Sequence, residues 1–322
     1  MIFIIQNQFS TIMLKIAILL IVSLIVAPVA IVYLDATPTE EQWVLLTPLL
    51  WMCFGIATAC FLLSEITKNY SQVDKLWSLV PLVYSWYVAF QMDFAPRMLL
   101  MAVLVTLWGL RLSYNFSRRG GYSLKFWTGE EDYRWAVLRA RPELSGRVRW
   151  TLFNLFFISY YQQFLILFFT LPIVVAAQAG DSPLGWADYA VAAAVLFFLI
   201  LETVADQQQW VYQNEKYRQK AAGKMEPFYA VGFTHHGLWK WMRHPNYMAE
   251  QAIWVCFYFF GVAATGNWLN WTLSGPLLLM VLFQGSADFS EGISAEKYPL
   301  YKAYMSKVGR FLPNFWQNPK FY

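Results

Sequence analysis

Eight apolar stretches follow one another along this 322-residue chain. A helix needs about 20 predominantly apolar residues to cross the hydrocarbon core of a bilayer. The candidate spans are residues 14–34, 43–63, 76–91, 96–112, 151–178, 185–207, 246–263 and 268–284. The third and fourth are short, which fits tilted or partly buried helices. The pattern predicts an all-α, polytopic integral membrane protein with about eight transmembrane helices.

The composition excludes two other classes of protein. Hydrophobic residues make up 58% of the chain and charged residues only 14%, whereas soluble domains carry about 25% charged residues. One soluble core could not hide so much apolar surface, which excludes a cytosolic globule. The three cysteines, Cys53, Cys60 and Cys256, all lie inside apolar runs. This placement excludes a secreted domain held together by disulfides.

The basic residues predict the orientation of the chain. If the N-terminus is cytoplasmic, the four loops on that side hold 21 of the 24 lysines and arginines. Such a bias is typical of cytoplasmic loops, so both termini are predicted to be cytoplasmic. The net charge of +4 then reflects topology and not nucleic-acid binding. No interior repeat or low-complexity linker divides the chain, so residues 1–322 are predicted to form a single membrane domain.

Two carboxylates end the sixth apolar stretch. Glu202 and Asp206 are four residues apart, so they share one face of a helix. They could belong to a solvated helix end. Because ionisable residues inside membrane spans are costly and commonly functional, we favour the wall of a polar pocket that opens to the cytoplasm.

Two candidate proton donors lie at the ends of other stretches. Asp74 precedes the third span, where it could cap a helix or, with a raised pKa, donate a proton. Tyr114 follows Arg111 at the end of the fourth span. Arginines that reach the membrane edge explain most of that segment, although Tyr114 could face inward. The sequence leaves both alternatives open.

The densest polar segment covers residues 234–250. Pro245 suits the first position of a helix, which places Asn246 and Glu250 on one face with Tyr247 beside them. An amide and a carboxylate in this arrangement can bind an amide or a ribose, because asparagine offers both a donor and an acceptor.

Arg243 and His244 come directly before this helix, where backbone N–H groups and the helix dipole favour an anion. The segment therefore has the parts to hold a phosphorylated, nucleotide-like cofactor. The alternative is an aromatic and basic belt at the membrane interface. His235 and His236 are adjacent and no cysteine cluster accompanies them, so no metal site is predicted.

The C-terminal tail alternates tyrosine with lysine and includes Tyr298, Lys302 and Arg310. It could fold over a bound nucleotide, or lie on anionic lipid as an amphipathic helix. The sequence contains no Gly-x-Gly-x-x-Gly loop, Walker loop, His-Glu-x-x-His or Gly-x-Ser-x-Gly motif. Any cofactor must therefore be held by the membrane helices and their loops.

The segment Arg243-His244-Pro245-Asn246-Tyr247-Met248-Ala249-Glu250 resembles the hallmark of the steroid 5-alpha-reductase C-terminal family. The tail, residues 296–304 and 311–313, is similar as well. Segments beginning at Asp74, Glu131 and Glu202 resemble the bacterial branch of these membrane NADPH-dependent reductases. The resemblance covers a reductase-like helical core with a cytoplasmic C-terminal tail, residues 70–315, and makes residues 1–42 an additional N-terminal span.

The resemblance implies an oxidoreductase in the bacterial inner membrane that uses NADPH. It would reduce an enone-type carbon–carbon double bond of a steroid- or lipid-like substrate taken from the bilayer. By resemblance, Asn246 and Glu250 lie near the nicotinamide and Asp206 is an acidic cofactor contact. The other implied cofactor contacts are Arg243, His244 and Tyr247 around the same pocket, and Tyr298, Lys302 and Arg310 at the adenosine phosphate.

The catalytic residues are assigned less directly. Steroid-reducing members carry a Gln-Glu pair and a tyrosine that polarise the substrate carbonyl, and no clear Gln-Glu pair stands at that place in this chain. Asp74 and Tyr114 are the nearest candidates. A second group, the isoprenylcysteine and phospholipid methyltransferases, shares the Arg-His-Pro-x-Tyr start and uses S-adenosylmethionine. A membrane methyltransferase and a non-catalytic membrane protein are therefore the alternative functions.

Overall fold

A computed structural model describes residues 37–125 and 127–315, together with Val29 and Tyr33. Within this part of the chain the secondary structure is helical and no strand forms, which confirms the all-α fold class. The predicted first span, 14–34, lies outside the described residues apart from Val29 and Tyr33. Most of the additional segment 1–42 also lies outside them.

Capping side chains or prolines mark the starts of several helices. Thr39 caps the first helix with a reciprocal box: its hydroxyl accepts from the Gln42 amide at 3.3 Å, and the Gln42 side chain accepts from the Thr39 amide at 3.1 Å. The α-helices are α1 (Glu40–Thr67), α2 (Gln72–Trp77), α3 (Val80–Gln91), α4 (Pro96–Ser117), α5 (Tyr133–Arg139), α6 (Arg147–Phe153), α7 (Gln162–Thr170), α8 (Pro172–Ala176), α9 (Trp186–Ala221), α10 (Pro227–Ala230), α11 (Pro245–Thr265), α12 (Ser274–Lys297) and α13 (Tyr301–Lys307).

Five of the described helical segments are long and apolar enough to cross a membrane. They are Glu40–Thr67, Pro96–Ser117, Arg147–Ala179, Trp186–Ala221 and Pro245–Thr265. The third joins α6, a π-helical turn at Asn154–Tyr161, α7 and α8. Two further predicted spans differ. The stretch 76–91 is divided between the end of α2 and the 12-residue α3, each too short to span a bilayer. The stretch 268–284 contains the start of α12, which is not among the five.

The chain divides into two compact units. The first unit comprises the described residues up to Val191 and Phe257–Leu278. One hydrophobic cluster in it joins α1, α2, α5, α6 and the π-helical turn, and contains Cys60, Tyr70, Val73, Trp135, Leu144, Trp150, Phe153 and Ile158. The second unit comprises Ala192–Cys256 and the described residues from Leu279 onward. Its cluster contains Val231, Phe233, Tyr301, Tyr304 and Val308, so the tail packs within this unit.

A buried ion pair joins the starts of α4 and α9 in the first unit. Arg97 donates from Nε to Asp188 Oδ1 at 2.7 Å and from Nη2 to Asp188 Oδ2 at 2.9 Å. Asp188 also accepts from the Gly185 amide at 2.9 Å. Both side chains are buried. A bidentate pair of this kind fixes the relative direction of two groups as well as their distance.

We expect Arg97→Lys to lower the free energy of unfolding by about 1.5 to 3 kcal/mol. Lysine keeps the charge but cannot form the two parallel bonds, so one charge-assisted hydrogen bond is lost. Thermal or denaturant unfolding in detergent measures the change. Arg134→Lys is the control, since Arg134 forms the same bidentate kind of pair with Asp132, but both side chains are partly exposed to water, which weakens an ion pair. Equal effects of the two substitutions would contradict the assignment.

Candidate functional site

The second unit brings together two of the predicted site residues from different helices. Asn246, in the first turn of α11, donates from Nδ2 to Asp206 Oδ1 on α9 at 3.2 Å. Asp206 is only 4% exposed, although it lies in a helix that is apolar for most of its length. Two residues that the resemblance assigns separately to the cofactor therefore lie in direct contact.

Two further carboxylates lie one helical turn from this pair. Glu202 precedes Asp206 by one turn and Glu250 follows Asn246 by one turn, and both are buried. Glu250 accepts from Trp254 Nε1 through Oε1 at 3.1 Å. Burial of so many acidic groups in apolar helices is costly, and such residues usually serve binding or catalysis.

One atom of the site is left without a donor. Asn246 Oδ1 is buried and accepts no hydrogen bond from any described residue, because the amide is oriented by the bond from Nδ2 to Asp206. Buried acceptors are normally satisfied, and an exception requires an explanation. The site therefore offers a fixed acceptor to an N–H or O–H donor from a ligand, such as a carboxamide or a ribose hydroxyl.

Arg243 does not face an open anion site within the second unit. Its Nε donates to Glu291 Oε1 at 2.7 Å and its Nη2 to Glu291 Oε2 at 3.3 Å. Its Nη1 donates to the backbone carbonyls of Met305, at 3.0 Å, and of Val308. The guanidinium thus holds α12 and the tail against the start of α11.

Glu291 on α12 accepts hydrogen bonds from three basic residues. Besides Arg243, it accepts from His244 Nε2 at 2.8 Å through Oε1 and from Arg310 Nη2 at 3.0 Å through Oε2. Arg310 also pairs with Asp288 at 2.7 Å. His244 is stacked on Tyr247, with ring centroids 5.1 Å apart. The predicted residues Arg243, His244 and Arg310 therefore converge on a carboxylate that the sequence analysis did not assign.

The charges at Glu291 fix its protonation state. Burial alone would raise the pKa of this carboxyl, but the hydrogen bonds from His244 and Arg243 and the Arg243 charge outweigh it and lower the pKa to about 2. Burial lowers the pKa of His244, and the hydrogen bond to Glu291 opposes this only in part. Glu291 is thus ionised at neutral pH, with a neutral His244 donating to it.

The tail is held by its backbone as well. The Arg243 amide donates to the Gly309 carbonyl at 2.8 Å, and the His244 amide donates to the Arg310 carbonyl at 3.0 Å. Of the other predicted tail contacts, the Tyr298 hydroxyl lies 3.4 Å from Lys216 Nζ, and Lys302 lies on the exposed face of α13. The alternation of tyrosine and lysine therefore places tyrosine in the core of the second unit and lysine at its surface.

The two candidate proton donors belong to the first unit. Ser71 is the N-cap of α2, so Asp74 is not a cap; it accepts from Trp135 Nε1 at 2.9 Å. Burial raises the pKa of Asp74, and the nearby charge of Arg134 opposes this only in part. Tyr114 is 67% exposed, with the Arg118 guanidinium 5.6 Å from its ring centroid. The catalytic roles of Asp74 and Tyr114 stay predictions.

Comparison with known sequences identifies the family of the chain. The model of the family described as "Protein of unknown function (DUF1295)" matches residues 60–308. The chain belongs to this family. It is 38% identical over 276 residues to a Schizosaccharomyces pombe protein described as "Uncharacterized protein C594.04c", a match that covers 82% of this chain and 78% of that protein. No solved structure matches the chain. This relative is fungal, so chains similar to this one are not confined to bacteria.

Proposed function

We propose that this member of the DUF1295 family is an integral membrane oxidoreductase that uses NADPH to reduce an enone-type carbon–carbon double bond of a steroid- or lipid-like substrate. The observation that carries the proposal is the Asp206–Asn246 pair, in which the buried Asn246 Oδ1 accepts no hydrogen bond from a described residue. We further propose that both termini are cytoplasmic, in a bacterial inner membrane, with the cofactor entering from the cytosol and the substrate from the bilayer.

The residues present fit the nicotinamide end of this cofactor. A carboxamide carries two N–H donors and one acceptor, and Asn246 Oδ1 is an acceptor held in place by Asp206. Glu250 lies one turn further along the same helix and offers a second acceptor. In this proposal Asn246 and Glu250 bind the cofactor, and Asp206 positions Asn246. Arg243 and His244 support the site by holding α12 through Glu291, and Arg243 also binds the tail through the Met305 carbonyl.

The chemistry divides between cofactor and protein. NADPH, when bound, supplies the hydride. The protein must stabilise or protonate the carbonyl oxygen of the substrate as negative charge builds there. The proposal assigns that role to Asp74 or Tyr114. A raised pKa, as at Asp74, suits a carboxyl that must hold a proton near neutral pH.

A second candidate is an S-adenosylmethionine-dependent methyltransferase acting on a membrane substrate. One observation favours it: the buried groups around Asn246 are carboxylates, whereas the guanidinium of Arg243 is already bonded to Glu291. An excess of negative charge suits a cationic sulfonium better than a diphosphate. The two candidates therefore predict opposite ligand charges at the same residues.

We expect NADPH to raise the melting temperature of the detergent-purified full-length protein, and S-adenosylmethionine to leave it unchanged. A ligand at about 100 times its dissociation constant stabilises the folded state by about 2.7 kcal/mol, which a thermal shift detects. NADPH, NADH and S-adenosylmethionine are run in parallel. Stabilisation by S-adenosylmethionine alone would replace the reductase with the methyltransferase. A response to none of the three, with and without added lipid, would favour a non-catalytic membrane protein.

A further inference from the structure

A buried lysine lies near the end of α9 in the second unit. Lys216 is 7% exposed and shares a helix face with Gln213, three residues before it, and Lys220, four residues after it. Its ammonium donates to three oxygens. They are Gln213 Oε1, the Gly232 carbonyl at 2.9 Å and the Tyr298 hydroxyl at 3.4 Å.

These three acceptors satisfy the hydrogen bonds of Lys216 but carry no charge. No aspartate or glutamate among the described residues forms an ion pair with it. The positive charges of Lys297 and Lys220 act on its ammonium instead. Lysines are rarely buried without an anionic partner. The cluster therefore lacks a negative charge that a ligand could bring.

Aromatic rings surround the ammonium. Lys216 Nζ lies 4.7 Å from the ring centroid of Tyr217 and 5.6 Å from that of Tyr298, and Lys297 Nζ lies 5.4 Å from the latter. Gly232 allows the Tyr298 ring to come this close. Its φ is +91°, and a Cβ there would lie 2.4 Å from the ring. Lysines, a phenol donor and aromatic faces together suit a phosphate attached to a sugar and a base.

We propose that Lys216, assisted by Lys220 and Lys297, binds a phosphate monoester, namely the 2′-phosphate of NADPH. This inference rests on the proposed function and adds to it the residue that distinguishes NADPH from NADH. The headgroup of an anionic phospholipid presents the same phosphate chemistry, so the experiment must separate the two sources.

The test is ligand binding to full-length Lys216→Gln, which keeps a hydrogen-bond donor and removes the charge. We expect the dissociation constant for NADPH to rise about 10- to 100-fold, the effect of losing a hydrogen bond between charged groups, and that for NADH to stay unchanged. Lys216→Arg should retain most of the NADPH affinity. Lys224→Gln is the matched control, since Lys224 is an exposed lysine between α9 and α11.

Lys297→Gln is a second variant, needed because Lys216 is buried and Lys216→Gln could misfold. Lys297 is exposed, so its replacement should leave the melting temperature of the free protein unchanged. It should weaken the binding of NADPH but not that of NADH. An equal loss of NADPH and NADH affinity in these variants, or no loss in either, would overturn the phosphate assignment and leave the reductase proposal intact.

If the unmodified protein binds neither nucleotide, the reductase proposal fails and the site is tested separately. The probes are then inorganic phosphate and nanodiscs of phosphatidic acid compared with phosphatidylcholine. Stabilisation by phosphatidic acid that Lys216→Gln removes would support a phosphate site and assign it to a lipid headgroup. No stabilisation by either probe would overturn the site itself.

Discussion

Replacing both Asn246 and Glu250 with alanine is expected to abolish stabilisation of the protein by NADPH, although the protein should still fold. The double substitution removes the acceptor that no described residue uses, Asn246 Oδ1, and the buried carboxylate one turn along α11. A ligand donor buried without its partner costs about 1 to 3 kcal/mol. Each single substitution should therefore raise the dissociation constant for NADPH about 5- to 150-fold, and the double substitution should abolish detectable binding.

The fold should survive because the lost contacts are few. Asn246 donates only to Asp206 among the described residues and Glu250 accepts from Trp254, while alanine favours the helical conformation of α11. Gln251→Ala is the matched control, since the Gln251 amide donates to the Tyr247 carbonyl of its own helix at 2.8 Å. Melting temperatures with and without NADPH give the result. Unchanged NADPH affinity in the double variant would show that the site is elsewhere.

The local parts of the site were predictable from the sequence. Pro245 sets the first turn of α11, and the helical period then places Asn246 and Glu250 on one face. The same period pairs Glu202 with Asp206 on α9. These inferences needed only spacing within one helix.

The partner of Arg243 was not predictable in the same way. Glu291 lies 48 residues further along the chain, so no local spacing connects the two. An arginine directly before a helix suggests an anion site, but α12 supplies the anion from within the protein, as the carboxylate of Glu291. The available signal was weak: Asp288 and Glu291 directly follow an apolar stretch on the side predicted to hold the basic residues.

The helix boundaries show a similar limit. Hydropathy predicted spans at 76–91 and 268–284, because it counts apolar residues without showing where a helix begins or ends. α3 stops at Gln91, and the turn after it has positive φ at Asp93 and Phe94. α12 runs on to Lys297, past the apolar stretch, and its polar half places Glu291 beside Arg243 and Arg310.

The largest loss of stability should follow Glu291→Gln, which we expect to lower the free energy of unfolding by about 3 to 5 kcal/mol. Loss of one partner from a buried ion pair leaves the other charge without compensation, and Glu291 is 1% exposed with Arg243 at 2.7 Å. The tail should then loosen, because Arg310 loses its bond to this carboxylate and Arg243, which donates to the Met305 and Val308 carbonyls, loses the partner that orients it. Denaturant unfolding and limited proteolysis of residues 298–315 measure the two effects.

Asp288→Asn is the control for this prediction. Asp288 pairs with the same Arg310, but its side chain is 67% exposed, so its loss should cost less than about 1 kcal/mol. If the Asp288 and Glu291 variants unfold alike, and the tail of each resists protease as well as the unmodified tail does, Glu291 does not hold the tail.

Acid should reproduce the effect of Glu291→Gln. The interactions that lower the pKa of Glu291 from 4.5 to about 2 stabilise the fold fully above pH 4.5, and this stability is lost as the pH falls toward about 2. The lowered pKa of His244 adds a loss of the same sign that begins near pH 6.5. Protection of the tail from protease should therefore decrease from pH 7 to pH 3 in the unmodified protein. In Glu291→Gln the decrease below pH 4.5 should flatten, because the group that titrates there is gone; an unchanged slope would assign the acid sensitivity to other carboxylates.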